Sequence, residues 1–510
     1  MGKRVMTLFL IPFLLFCALP VQAVEKEERS WQEEMMYFIM VDRFSNGDPS
    51  NDYEVDHNDP KAYHGGDIKG ITQKLDYIKD MGFTSIWLTP IFKNEPKGYH
   101  GYWIEDFYEV EEHFGTLEDF KELVNEAHKR DMKVILDFVV NHTGYQHPWV
   151  NDPTKKDWFH EPKGISNWNN QEQVENRQLF GLPDLAQENP ETKEYLLEVA
   201  KWWIEETNID GYRLDTVRHV PKWFWEEFAT EVKSVKEDFF LLGEVWHDDP
   251  KYVADYTKTG IDSFVDYPFF NEAARVFSSP NQSLDRLDTI WHRNVNLYEN
   301  PYILGNFIDN HDNVRFTRRA LEQNENPVTR LKLALSYLYA APGIPIVYYG
   351  TEIAMDGGED PDNRRLMDFR TKDELVNYIN QLSKIRSGNP ALTHGDFELL
   401  HDNNGMAVFK RTYEENTVLI AINNSTVSQE VILPEGTIES NMSLTGLLSD
   451  DTFTEGADGY EIVLDREKAD IYILSEKQGV YLPFIILLIA VPLATVAFFW
   501  INKRVHRNRK

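Results

Sequence analysis

The chain has 510 residues, 52 of them Lys or Arg and 84 Asp or Glu, so its formal charge is 52 − 84 = −32. Hydrophobic residues make up 42 %, enough to core two or three domains and unlike a disordered or collagen-like chain. So acidic a body is repelled by phosphate backbones, which argues against a nucleic-acid partner and suits a neutral substrate.

Residues 1–23 carry Lys3 and Arg4, an apolar run over 8–19 and the small-residue pattern Val21-Gln22-Ala23, so a signal peptide cut after Ala23 is expected. Cys17 is the single cysteine, and the bulky Phe16 before it speaks against lipid attachment. With the leader gone, neither a disulfide nor a cysteine zinc site is available.

Eight strand-like apolar runs follow, over 37–44, 85–92, 133–142, 211–217, 239–246, 263–269, 303–312 and 344–350. Helical periodicity comes after most of them, over 71–81, 117–132, 192–206, 222–236, 284–298, 328–339 and 374–386. The fold class read from this alternation is α/β, a (β/α)₈ TIM barrel over 24–142 and 191–390. The interval 143–190 is rich in Asn, Trp, Pro and Gly and too long for a plain loop, so an inserted subdomain is expected after strand three. Beyond about 390 the pattern turns to short alternating segments, which predicts a C-terminal all-β sandwich over 391–475. Residues 480–501 hold no charge and precede Lys503, Arg504, Arg507, Arg509 and Lys510. That reads as a C-terminal transmembrane helix with a basic cytoplasmic tail over 502–510, giving a single-pass cell-surface protein.

Barrel chemistry gathers at the C-terminal ends of strands. Strand three ends Asp137-Phe-Val-Val-Asn141-His142, strand four contains Gly211-Tyr-Arg213-Leu-Asp215, strand five ends Gly243-Glu244, and strand seven ends Asp309-Asn310-His311-Asp312. A single acid at a strand end usually caps a helix or pairs with a cation; four such ends on one rim point to a common cleft. Two carboxylates about 5 to 5.5 Å apart permit retaining glycoside hydrolysis, one attacking the anomeric carbon and the other moving the proton. Asp215 suits the nucleophile because Arg213, two residues away along the strand, shares its face and favours the charged form. Glu244 suits the acid because Phe239-Phe-Leu-Leu, Val245 and Trp246 give it an apolar setting that raises a carboxyl pKa.

Together the four strand ends resemble the signature regions of the α-amylase family, glycoside hydrolase family 13, and the likeness covers nearly all of 31–475. It is nearest to calcium-dependent bacterial α-amylases related to cyclodextrin glucanotransferases. The resemblance implies Asp215 as nucleophile, Glu244 as general acid/base and Asp312 as the third acid, holding sugar hydroxyls. It implies a cleavage subsite lined by His142, Arg213 and His311, with Tyr102 stacking on the sugar and Trp103 a second platform, His219 also binding substrate, Arg218 at a leaving-group subsite, and Asp360 and Arg364 for a more distant sugar. Arg218 stands where many members have Lys.

Oxygen ligands without cysteine point to Ca²⁺. The resemblance implies one site between barrel and insertion, from the Asn141 side chain, the Asp184 carboxylate and the backbone oxygen of His219. A second signal is Asn46, Asp48, Asn51 and Asp52, followed by Gly65 and Asp67. By residues alone an ordinary Asx-rich turn is the preferred reading; the resemblance to the extra calcium site of glucanotransferases and their amylase relatives reverses that preference in favour of the cation. The expected activity is hydrolysis of α-1,4-glucosidic bonds in starch and related α-glucans. Phe180 falls near an aromatic that favours cyclisation in glucanotransferases, so transglycosylation or cyclodextrin and pullulan breakdown is the alternative. A non-catalytic binding or transporter subunit is the alternative of another class. Oligomeric state is left open by the sequence.

Overall fold

The computed structural model describes residues 29–371, 374–439, 442–457 and 459–476, together with 490–493, 495–497 and 500. Eight parallel strands form the barrel: β1 (Met36–Ile39), β2 (Ser85–Leu88), β3 (Lys133–Phe138), β4 (Gly211–Leu214), β5 (Phe240–Gly243), β6 (Ser263–Phe264), β7 (Gly305–Phe307) and β8 (Ile344–Tyr348). They pair in the order β6-β5-β4-β3-β2-β1-β8-β7. The ring is closed by a parallel bridge between Val265 and Gly305, with Asp266 N donating to Gly305 O at 2.8 Å. Runs such as Val134-Ile135-Leu136 are buried on both faces, inside by the barrel core and outside by helices, which is why they read as continuous apolar stretches.

The main helices are α1 (Ile68–Asp80), α2 (Leu117–Lys129), α3 (Pro190–Thr207), α4 (Lys222–Val235), α5 (Tyr267–Ser278), α6 (Asp285–Leu297), α7 (Pro327–Ala340) and α8 (Glu374–Gly388). Their starts are chemically marked. Asp67 caps α1, Thr116 and Asp119 form a capping box on α2, and Asn189 with Pro190 opens α3. Asn208 then ends α3 in the left-handed region at φ 56°.

Several strands are shorter than the apolar runs predicted. The first stops at Ile39 and Val41–Phe44 forms a helical turn. The sixth is only two residues long, because Asp266 accepts from Phe269 N and Pro268 sits in the first turn, which starts α5. After β2 the chain makes an antiparallel hairpin, Phe92–Asn94 with Ile104–Val110. Only the short helix Pro250–Ala254 and a 3-10 turn separate β5 from β6. Residues 143–190 hold short helical turns and isolated bridges, among them His142 to Asp184, and lie beside the barrel rim.

The C-terminal all-β part consists of β9 (Asp396–Asn403), β10 (Met406–Tyr413), β11 (Asn416–Asn423), β12 (Gln429–Leu433), β13 (Met442–Gly446), β14 (Thr452–Thr454), β15 (Tyr460–Leu464) and β16 (Lys468–Glu476). Six form an antiparallel sheet in the order β9-β10-β11-β16-β13-β14, while β12 pairs with β15. Alternation along β10 and β11 explains how this sheet joins the barrel. Met406, Val408, Leu419 and Ala421 pack into a small separate core, whereas Ala407, Phe409, Val418 and Ile420 pack into the main core.

The transmembrane helix expected over 480–501 is corrected: among the described residues no helix is long and apolar enough to cross a membrane. A span needs roughly 20 continuous helical residues, and the described helical residues of this range are 490–493, 495–497 and 500. The single-pass cell-surface topology derived from that helix falls with it. The leader over 1–23 and the tail over 502–510 lie outside the described residues.

Candidate active site

The strand ends converge on a cleft of about 1000 Å³ on the C-terminal rim, lined in part by Tyr102, His142, Asp215, Glu244, His311 and Asp312. Its floor is organised by one cation. Arg213, fully buried on β4, donates from Nη1 to both oxygens of Asp137 at 2.9 Å and to Asp215 Oδ1 at 2.7 Å. Its Nη2 lies 2.5 Å from Glu244 Oε1. Three carboxylates from β3, β4 and the end of β5 therefore share one planar guanidinium, which fixes their mutual spacing. Because Asp215 and Glu244 grip the same group, their oxygens are separated by no more than two such contacts and the width of the guanidinium.

Glu244 also accepts from Thr216 N at 3.1 Å and from Tyr267 OH at 3.0 Å. Burial pushes its carboxyl above the ordinary range, aided by the charge of Asp215 and opposed by Arg213. Burial raises Asp312 to about 7, helped by Glu244, while Arg364 pulls the other way. Asp137 rises to about 8 through burial, against the pull of Arg213. His142 and His311 are lowered by burial, so both are neutral imidazoles at neutral pH.

The other predicted residues fall around this centre. Tyr102 OH lies 2.8 Å from Asp137 Oδ2 and 2.8 Å from His311 Nε2, and its ring stacks on His311. Trp103 lines the cleft beside Tyr145, at 5.5 Å between ring centres. Arg364 joins His311 O at 2.9 Å, Asp360 at 3.1 Å and Asp312 at 3.4 Å, linking Asp360 to Asp312. Arg218 donates to Trp246 O and Trp168 O at the opposite end. His219 lines the cleft, but its Nδ1 is taken by Val174 O at 3.0 Å. Phe180 is 83 % exposed on the cleft wall. Sequence reasoning did not single out Tyr267 or Trp246 as site residues; the Asp266-Tyr267-Pro268 helix start was the available signal for the first.

The first expected calcium position has an open donor set. Asn141 Oδ1 and Asp184 Oδ1 are both buried without a partner among the described residues, on segments joined by the His142–Asp184 bridge. Two orphaned oxygens on bridged segments suit a hard cation. Asp184 Oδ2 is engaged by His160 Nδ1 at 2.6 Å. The second position is only partly gathered. Asn46 contacts Asp52 at 2.7 Å, a Cβ on Gly65 would meet Asp52 Oδ1 at 2.8 Å, and Asn51 Oδ1 is buried and unpartnered. Asp67, however, accepts from Gly47 N, Asp48 N and Gly70 N as the cap of α1, and Asp48 binds Lys69 at 2.7 Å.

Residues 38–382 match the model of the α-amylase catalytic domain, and 395–472 match the α-amylase C-terminal domain. A solved α-amylase from Anoxybacillus is 68 % identical, with a TM-score of 0.88 over 89 % of this chain and 100 % of that one. The beta/alpha-amylase of Paenibacillus polymyxa is 39 % identical over 439 residues, 83 % of this chain, which spans only 36 % of that longer protein. The cyclomaltodextrinase of Thermoanaerobacter pseudethanolicus is 34 % identical over 424 residues, 79 % of this chain and 72 % of that protein.

Proposed function

Because this chain belongs to the α-amylase family of glycoside hydrolases, we propose that it hydrolyses internal α-1,4-glucosidic bonds of starch and related α-glucans with retention at the anomeric carbon. The observation that carries this reading is the shared Arg213, which holds Asp215 and Glu244 on its two terminal nitrogens at one cleft, as a nucleophile and a proton donor acting on the same bond must be held. Asp215 attacks the anomeric carbon as Glu244 gives its proton to the departing glycosidic oxygen. Glu244, now a carboxylate, then takes a proton from water, and that water breaks the glycosyl ester on Asp215. Burial of Glu244 supports its starting as the acid, since it keeps the proton above the usual carboxylate range. Asp312 holds hydroxyls of the sugar being cleaved; Asp360 and Arg364 hold one further along the chain.

Calcium on Asn141, Asp184 and the backbone oxygen of His219 would supply a structural clamp between the insertion and the rim. The Asn46–Asp67 segment is the weaker second position, since Asp48 and Asp67 already have partners. A second activity, transfer to sugar acceptors or opening of cyclodextrins, draws on exposed Phe180 at the cleft and on the cyclomaltodextrinase likeness. The test is release of reducing ends from soluble starch by the full chain, with the anomeric form of the first product read by NMR. New α-anomer, lost in Glu244→Gln, is expected. Initial β-anomer would overturn retention, and no release from folded, calcium-supplied protein would favour a binding role.

A further inference from the structure

We propose that Tyr267 is the positioning residue of the proton donor, reserving Glu244 Oε1 so that the transferred proton travels on Oε2. The inference rests on the hydrolase reading above and deepens it. Tyr267 is the first residue of α5, placed at the rim by the Asp266 cap, and its side chain is buried. Its hydroxyl donates to Glu244 Oε1 at 3.0 Å, and Arg213 Nη2 lies 2.5 Å from the same oxygen. Oε2 accepts from Thr216 N at 3.1 Å. A carboxyl oxygen already facing two donors has no place for a proton, whereas one with a single donor keeps a free lone pair. The two oxygens of Glu244 are thus unequal before substrate arrives.

The ring is held as firmly as the hydroxyl. It lies parallel to Trp246 at 5.2 Å with an interplanar angle of 3°, and edge-on to Phe307 at 5.3 Å. Trp246 is half exposed and lines the cleft, so Tyr267 ties the acid to the wall of the substrate channel as well. The charged groups facing Glu244 are Arg213, Asp215 and Asp312. Against them the hydroxyl acts in one direction, favouring the carboxylate.

Tyr267→Phe keeps the ring and removes only the hydroxyl. The expected result is an unchanged melting temperature and KM on maltooligosaccharides, with kcat lower by about tenfold, the scale of one hydrogen bond to a charged group. Having lost a donor to its charged form, Glu244 would hold its proton longer, so the alkaline limb of kcat/KM should move up by about one pH unit. A maltosyl fluoride, whose leaving group needs less protonation, should lose less rate than the oligosaccharide. Parental kcat and pH profile would overturn the proposal, as would equal losses on both substrates with an unmoved limb. Loss of the fold would overturn it too, because the hydroxyl would then be serving the core and not the acid. An inactive Glu244→Gln beside a normal Tyr267→Phe sinks only the role of Tyr267; an active Glu244→Gln sinks the hydrolase reading itself.

Discussion

Two of the buried arginines on this barrel, Arg43 and Arg213, are paired with aspartate, and of these two pairs only the second faces the cleft. Arg43, just past β1, binds the neighbouring carboxylate of Asp42 and donates to the carbonyl oxygens of Arg364, Pro60 and Ala62. Asp42 in turn accepts from His64 N and Gly65 N. Those carboxylate and guanidinium contacts are used up inside the protein, so the pair serves as a bolt between loops. Arg213 instead collects three carboxylates, of which Asp215 and Glu244 still open on the cleft. Burial and charge are common to both; what separates a reacting pair from a bolt is whether lone pairs remain pointed at a cavity.

The sharpest way to break that contrast is to neutralise one aspartate in each pair. Asp215→Asn should lower turnover on starch by roughly 10⁴-fold, the scale of losing a member of a catalytic set, while the melting temperature holds. Near-parental turnover would put Asp215 among the bolts. Asp42→Asn should do the reverse. It leaves Arg43 without its counter-charge in a dry site, at a cost of about 3 kcal/mol, so thermal unfolding should come at lower temperature while kcat of the folded protein stays near parental. A large loss of kcat with unchanged melting would show that the first pair also works on substrate.

The same contrast separates the two calcium positions, with smaller effects. Among the described residues Asn141 Oδ1 and Asp184 Oδ1 have no hydrogen-bond partner, whereas Asp48 and Asp67 are occupied by Lys69 and by backbone amides. Chelation should lower the melting temperature and added Ca²⁺ should restore it, with up to about 2.7 kcal/mol regained at a hundredfold excess over Kd. Asp184→Asn should abolish most of that response and Asp48→Ala should leave it largely intact. An equal response in parent and Asp184→Asn would remove the first position from the account.

Much of this was legible in the chain because the barrel writes its strands as doubly buried apolar runs with an acid at the exit. The eight runs, and the placing of Asp215 and Glu244 at strand exits, need only periodicity and position, whereas Asp312 is picked out from its neighbours only by the resemblance to the α-amylase family. The ends of the runs were less legible. Tyr267 lies inside the strand predicted over 263–269, since Phe264-Val265 and Phe269 read as one apolar stretch until the Asp266 cap and Pro268 are given their due. The hairpin over 92–110 escaped because its segments mix Lys, Asn, Glu and Asp with aromatics, leaving no clean alternation. The 46–67 segment poses a different problem. A count of short oxygen-bearing side chains cannot tell which of them are already spoken for by Lys69 or by the first turn of α1. At 480–501 an uncharged run of spanning length followed by basic residues reads as a membrane span, and no such helix is found among the described residues.

The central claim is that Asp215 is the group that bonds to the sugar while Glu244 handles the proton. A slowly hydrolysed fluorinated maltosyl fluoride, followed by proteolysis and mass spectrometry of the labelled protein, tests it most directly. The account predicts a single glycosylated peptide with the sugar on the Asp215 carboxylate. A label on Glu244 or Asp312 would contradict it.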